Sequence, residues 1–323
     1  MIHLRSLYDL QLPASAVSIG VFDGVHRGHR YLLHHLVEGA HRENLPAVVI
    51  TFHPHPARVL GHQPDLKYLT LPEERAALLH ALGVDVVVTC PFDQEMAARS
   101  ALDFMELVKK HLGVRLLWIG YDFALGRGRE GNSERLRQIG EKLGYTVHVV
   151  AAARDGEEVI SSNRIREWLK QGQVAEAARA LGRFYQVRGQ VVRGDGRGRR
   201  IKVPTANLDY PEEKLIPGNG VYACIASVEG RRFAALTNIG FRPTFENQPP
   251  ARPVMEAHLL DFDGDLYGRE LTLEFIARIR LEQRFPSVEA LVQQIARDIE
   301  AARRMLSEVS SSFGAETPPM ERR

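Results

Sequence analysis

Short apolar runs alternating with amphipathic stretches dominate the first half of the chain. Residues 16–22, 47–52, 84–92, 116–121 and 146–150 are rich in Val and Ile and apolar on both faces, as strands covered by helices on each side must be. Helical periodicity runs between them over 29–42, 72–82, 101–112 and 132–143. Leu82-Gly83, Leu112-Gly113 and Leu143-Gly144 place glycine where a helix end takes a left-handed residue. This rhythm predicts an α/β fold, a parallel sheet doubly wound by helices.

The pattern changes after residue 160. Two short helices are predicted at 163–169 and 174–181, and then strand-like runs at 186–192, 221–228, 232–239, 255–262 and 270–279. Turn pairs such as Glu229-Gly230 and Asp263-Gly264 separate the later runs, which predicts an antiparallel β-barrel domain. A C-terminal helix from Ser287, its N-cap, to about residue 306 carries the stripe Val288, Leu291, Ile295 and Ile299. The expected domains are 1–183 and 184–308, with 309–323 a disordered tail by composition.

A chain of 323 residues is long enough for two cores. Its 42 basic and 40 acidic residues nearly cancel, so whole-chain charge gives no bias toward nucleic acid. No apolar run approaches the ~20 residues that span a bilayer, and MIHLRSLYDLQLP lacks the apolar core of a signal peptide. Cys90 and Cys224 read as buried free thiols. These features predict a cytoplasmic protein without membrane partners.

The most specific chemistry lies where the first strand meets the first helix, in SIGVFDGVHRGH at 18–29. An α/β sheet offers an anion a crevice and a helix N-terminus at that place. Gly20, Gly24 and Gly28 let amides approach phosphate without an intervening Cβ, and Phe22 and Asp23 belong to the same turn. His26 and His29 share a helix face and suit donation to phosphate oxygens. On the residues alone, an exposed pair or a metal site lacking its third ligand are the alternatives.

The segment resembles the signature of the HxGH nucleotidyltransferases. That superfamily's second element, a Ser-rich turn ending in Arg, is matched by ISSNRIR at 160–166. The resemblance implies ATP binding by Gly20, Phe22, Asp23, Gly24, Gly28, Ser161 and Ser162, with His26, His29 and Arg166 catalytic. Read singly, either serine is a helix cap. TFHPHP at 51–56 and IGYDFALG at 119–126 resemble the FMN adenylyltransferase module of prokaryotic bifunctional riboflavin kinase/FAD synthetases. That likeness implies FMN contacts at His55, Pro56, Asp122 and Phe123. The chain leaves the family pattern at His53, Leu125 and Asn163, where an acidic residue, an aromatic and a threonine are usual.

A second constellation lies further on. RGQVVRGDGRGRR at 188–200 reads as a solvated basic loop or as a phosphate cradle, and VPTANL at 203–208 follows it. Thr205 and Asn207 alternate onto one face of an extended segment and offer oxygens to a hard cation such as Mg²⁺. Glu256, inside an apolar run, is costly unless paired or functional. It is either a salt-bridged structural residue or a base for a substrate hydroxyl.

With PGNGVY at 217–222, LYG at 266–268 and IRLEQRF at 279–285, these segments resemble the riboflavin kinase module. The resemblance implies ATP at Gly194, Gly198, Lys202, Pro204, Thr205 and Asn207, with Mg²⁺ at Thr205 and Asn207. It also implies Glu256 as the base and flavin contacts at Arg280, Glu282 and Phe285. Lys202 replaces the family's usual glycine. The implied activity converts riboflavin to FMN and FMN to FAD, with Mg²⁺ accompanying ATP at both sites, in a monomer or weak homo-oligomer. The alternative is a nucleotidyltransferase for another phosphate ester with a flavin-sensing C-terminal module.

Overall fold

The computed structural model describes residues 2–152, 154–155, 158–194, 203–241 and 252–313. The chain divides into two compact units, Met1–Ser162 and Asn163–Arg323.

In the first unit, β1 (Ile2–Leu4) and β2 (Ser15–Ile19) precede α1 (Arg27–Arg42). Then come β3 (Ala47–His53), α2 (Pro56–Val59), α3 (Pro72–Ala81), β4 (Val86–Pro91), α4 (Gln94–Ala98) and α5 (Ala101–Leu112). The unit continues with β5 (Val114–Gly120), α6 (Ser133–Leu143), β6 (Thr146–Val150) and the short pair β7 (Arg154–Asp155) and β8 (Glu158–Val159). Six strands form one parallel sheet in the order β1-β4-β3-β2-β5-β6.

Alternate side chains of each strand feed two cores, which explains why the sequence shows continuous apolar runs. Val17, Ile19, Val48 and Ile50 meet Phe104, Met105 and Val108 of α5 and Leu136 and Ile139 of α6. Ala16, Val49 and Val87 meet Leu33 and Leu36 of α1 and Ala76 and Leu79 of α3. Gly113 and Gly144 close α5 and α6 in the left-handed conformation, as their position in sequence predicts. The sequence reading passed over β1, whose three residues are too few to show a period.

In the second unit, α7 (Ser162–Lys170, which begins at the last residue of the first unit) and α8 (Val174–Leu181) lead into the barrel. Its strands are β9 (Tyr185–Val192), β10 (Ala206–Asp209), β11 (Gly220–Val228), β12 (Arg231–Gly240), β13 (Val254–Leu259) and β14 (Glu270–Arg280). They close in the antiparallel order β10-β13-β12-β11-β14-β9, with β9 paired to β10. The units divide earlier than residue 183 because α8 packs on β9 and β14.

Helix α9 (Val288–Phe313) covers the barrel with Ile295, Ile299, Ala302 and Leu306. Val288, first in the expected stripe, is exposed. The helix also runs past 309, into the expected tail, since no Gly or Pro intervenes before Gly314. The remainder of that tail, 314–323, lies outside the described residues.

Candidate active sites

In the first unit, β2 sits between β3 and β5, where the strand order reverses direction. A crevice opens at the carboxyl ends of the strands at such a point. Beyond β2 the backbone turns through Phe22 at φ 52°, Gly24 at φ 84° and Val25 at φ 42°. That region is cheap for glycine and strained for Phe and a β-branched Val, so other groups must hold the turn. A Cβ on Gly20 would lie 2.9 Å from the Phe22 ring, which explains glycine there.

Asp23 is one of the holding groups. Its carboxylate is 1% exposed and accepts from the amides of Leu69 at 3.0 Å and Thr70 at 2.8 Å and from the Thr70 hydroxyl at 3.0 Å. Thr70 Oγ1 in turn accepts from the Gly24 amide at 2.9 Å. These bonds make Asp23 a brace of the turn between β2 and α1. Ser162 joins the same turn, donating its hydroxyl to the Asp23 carbonyl at 2.8 Å.

His26 is the N-cap of α1, its Nδ1 accepting from the His29 amide at 3.3 Å. An accepting Nδ1 leaves the neutral ring's proton on Nε2. The rings of His26 and His29 stack with centroids 3.6 Å apart, and the Phe22 ring meets His29 edge-on at 5.2 Å. A Cβ on Gly28 would lie 3.1 Å from His26 Nδ1, so glycine lets the imidazole fold over the helix start. Burial first, then His26 and Arg75, hold the His29 imidazole well below its usual pKa. It is neutral at pH 7 and presents one N–H and one acceptor nitrogen. The pair thus sits at a helix N-terminus, already suited to an anion.

Arg75 was not among the residues expected from sequence. It is fully buried and donates from one guanidinium nitrogen to the Val21 carbonyl at 2.8 Å and to Thr51 Oγ1 at 2.7 Å. The other nitrogen donates to the Thr70 carbonyl at 3.2 Å. Its signal is visible in retrospect: Pro72, Arg75, Ala76 and Leu79 are the buried face of α3, and a charge in an apolar stripe needs a reason.

The expected FMN residues occupy the ends of β3 and β5, on either side of β2. His55 caps α2, accepting from the Ala57 amide at 3.0 Å, and Pro56 is the first residue of that helix. Asp122 is exposed, and its carbonyl accepts from Arg129 at 3.0 Å. Phe123 packs against the core on the α5 and α6 side, with Leu125 beside it. Ser161 precedes α7. Arg166 lies in the second unit, 5% exposed, and donates to Asn163 Oδ1 at 2.8 Å.

In the barrel, register builds the site. Asn207 of β10 pairs with Glu256 of β13, which pairs with Asn238 of β12. Directly opposed residues share a face, so the three side chains form one polar row. Thr205 donates to Glu256 Oε2 at 3.4 Å, and His258 Nδ1 donates to the Pro204 carbonyl at 2.7 Å, tying the segment before β10 to β13. Asn207 is 9% exposed, and its Oδ1 has no hydrogen-bond partner among the described residues. A Cβ on Gly194 would overlap the Asn207 side-chain amide. Gly198 and Lys202 lie outside the described residues.

Of the expected flavin residues, Arg280 is held by Asp298 of α9, Nε at 3.0 Å from Oδ2, and lies 5.6 Å from the Phe285 ring centroid. Glu282 lies against Gly240 and accepts from Asn219 Nδ2 at 3.4 Å. Asn238 is the residue of the row that sequence reasoning passed over. Its signal is a polar side chain inside the apolar run of β12.

Comparison with known proteins supplies the remaining observation. Residues 10–164 match the family of FAD synthetases, and residues 181–306 match that of riboflavin kinases. Bifunctional riboflavin kinase/FMN adenylyltransferase from Escherichia coli K12 is 38% identical, covering 93% of this chain and 96% of that protein. Its namesake from Bacillus subtilis is 34% identical over 94% and 96%. The chain belongs to the bifunctional riboflavin kinase/FMN adenylyltransferase family. A solved structure from Streptococcus pneumoniae, described as a macrolide-efflux protein, also matches at 31% identity and TM-score 0.86, covering 94% of this chain and 98% of that one. Among the described residues of the present family member, no helix is long and apolar enough to cross a membrane.

Proposed function

We infer that the chain performs both steps of flavin cofactor synthesis. The barrel phosphorylates riboflavin to FMN with ATP, and the α/β unit joins FMN to AMP with release of pyrophosphate. The observation that carries this reading is that the turn and histidine pair at 20–29 lie in the first unit, within the FAD synthetase match, while Thr205, Asn207 and Glu256 lie in the second, within the riboflavin kinase match.

In the α/β unit the FMN phosphate is itself the nucleophile, so no covalent enzyme intermediate is required. His26 and His29, as N–H donors at a helix N-terminus, stabilise charge on the α-phosphate and leaving pyrophosphate. Ser162, which donates to the Asp23 carbonyl, is assigned to the triphosphate. In the barrel, Glu256 accepts the proton of the ribityl hydroxyl as its oxygen attacks the γ-phosphorus, and the bond from that phosphorus to the β–γ bridging oxygen breaks to release ADP.

The buried Oδ1 of Asn207, unpaired among the described residues, and the Thr205 hydroxyl, which donates to Glu256 opposite Asn207, fit an Mg²⁺ ion arriving with ATP. The ion would supply charge neutralisation between phosphates, while Thr205 and Asn207 orient the nucleotide. Incubating the purified chain with riboflavin, ATP and Mg²⁺ and separating the products by chromatography tests the reading. FMN followed by FAD is expected. Absence of both rejects it, and FMN without FAD favours an adenylylated product of another kind.

A further inference from the structure

Phe22 is left-handed, a conformation that side-chain-bearing residues adopt only when their surroundings over-determine it. The Val21 carbonyl just before it accepts from both the Arg75 guanidinium and the Thr51 hydroxyl, the latter at 2.7 Å. That double grip fixes the Val21–Phe22 peptide plane. The N–H of this peptide has no hydrogen-bond acceptor among the described residues, and the Phe22 ring packs on His29. Arg75 also binds the Phe52 carbonyl at 3.3 Å and the Thr70 carbonyl at 3.2 Å. It therefore joins the phosphate turn, the end of β3 and the segment that braces Asp23.

We propose that Arg75 is a positioning residue for adenylyl transfer, holding the Val21–Phe22 peptide so that the turn and its histidine pair meet the triphosphate in reactive geometry. Lysine would keep the charge but bring one nitrogen with three donors, where the guanidinium reaches four oxygens in three segments from two nitrogens. The charge has a second consequence. The groups acting electrostatically on His29 are His26 of its own helix and Arg75 of α3. Arg75 therefore helps to keep His29 neutral, and removing the cation lets the imidazole protonate at higher pH.

The inference rests on the adenylyltransferase reading, and the unmutated chain with FMN, ATP and Mg²⁺ tests that reading first. If it makes no FAD, the reading and the proposal both fall. Given FAD formation, R75K and R75Q are compared in the full chain, with riboflavin phosphorylation by the same molecules as the control. R75K is expected to lower kcat for FAD about a hundredfold, with the acidic limb of its pH profile near that of the unmutated chain. R75Q is expected to fall at least as far, with the acidic limb displaced to higher pH. FAD formation by R75K within threefold of the unmutated chain overturns the proposal, and that variant decides alone if R75Q does not fold. Equal rate losses with superimposable pH profiles also overturn it, since they leave Arg75 a packing role only.

Discussion

The two proposed sites would solve one problem, presenting polar groups to a triphosphate, by opposite means. In the barrel, strand register does the positioning: Asn207, Glu256 and Asn238 line up because β10, β13 and β12 pair. In the α/β unit a strained turn between β2 and α1 does it, and the turn keeps its shape through buried charges, Asp23 and Arg75, supplied with several hydrogen bonds each. A ladder spreads its cost over many equivalent backbone bonds. A turn concentrates it in a few side chains, so single substitutions should be more destructive there.

Exchanging the reacting groups gives the sharpest separation. The double variant H26A/H29A is expected to lose FAD formation by about three orders of magnitude or more, with FMN formation unchanged, as read by product chromatography. Parallel loss of both activities would refute the independence of the two sites. Glu256→Gln is the reverse case. Riboflavin phosphorylation should fall about a hundred- to ten-thousandfold, while adenylylation of supplied FMN continues. Normal kinase turnover in that variant would return Glu256 to the structural reading.

Asp23→Asn tests the strained turn without touching a proposed donor to phosphate. Asparagine keeps one acceptor oxygen but turns a donor toward the Leu69 or Thr70 amide, both of which now donate to the carboxylate. A hydrogen bond to a buried charge is worth about 1.5–3 kcal/mol. The first unit should therefore unfold at lower urea and make FAD more slowly, with kinase activity retained. Unchanged urea midpoint and FAD rate would show that the turn needs no such brace.

The contrast also explains what was legible beforehand. The helices of the α/β unit appear in the sequence because one face of each is buried on a fixed period, and its strands because both faces are buried; α5 begins and ends where Ser100 and Gly113 cap it. The histidine pair, the glycines and Thr205, Asn207 and Glu256 were visible as residue types in a recognisable order. What stayed hidden depends on who meets whom across the fold. Asp23 is placed at ATP by resemblance, and nothing local reveals that Leu69 and Thr70 meet it. Arg75 looked like one charge of PEER until the helix face it occupies was known. Arg280, a flavin contact by family resemblance, is held by Asp298 of α9, a pairing no spacing reveals.

Gly194→Ala should have the smallest effect and shows how the barrel tolerates error. Gly194 just follows β9, where its α-carbon passes over the Asn207 amide, and an added methyl would overlap that group. Overpacking of this kind costs about 1–3 kcal/mol. The backbone of β10 is nevertheless fixed by pairing to both β9 and β13, so the strain should be relieved mainly by rotation of the Asn207 side chain. The expected result is a rise of about tenfold in KM for ATP in riboflavin phosphorylation, with kcat and the unfolding midpoint nearly unchanged. A large fall in kcat instead would mean that the Asn207 amide is as finely placed as the histidine pair, and that register alone does not make this site tolerant.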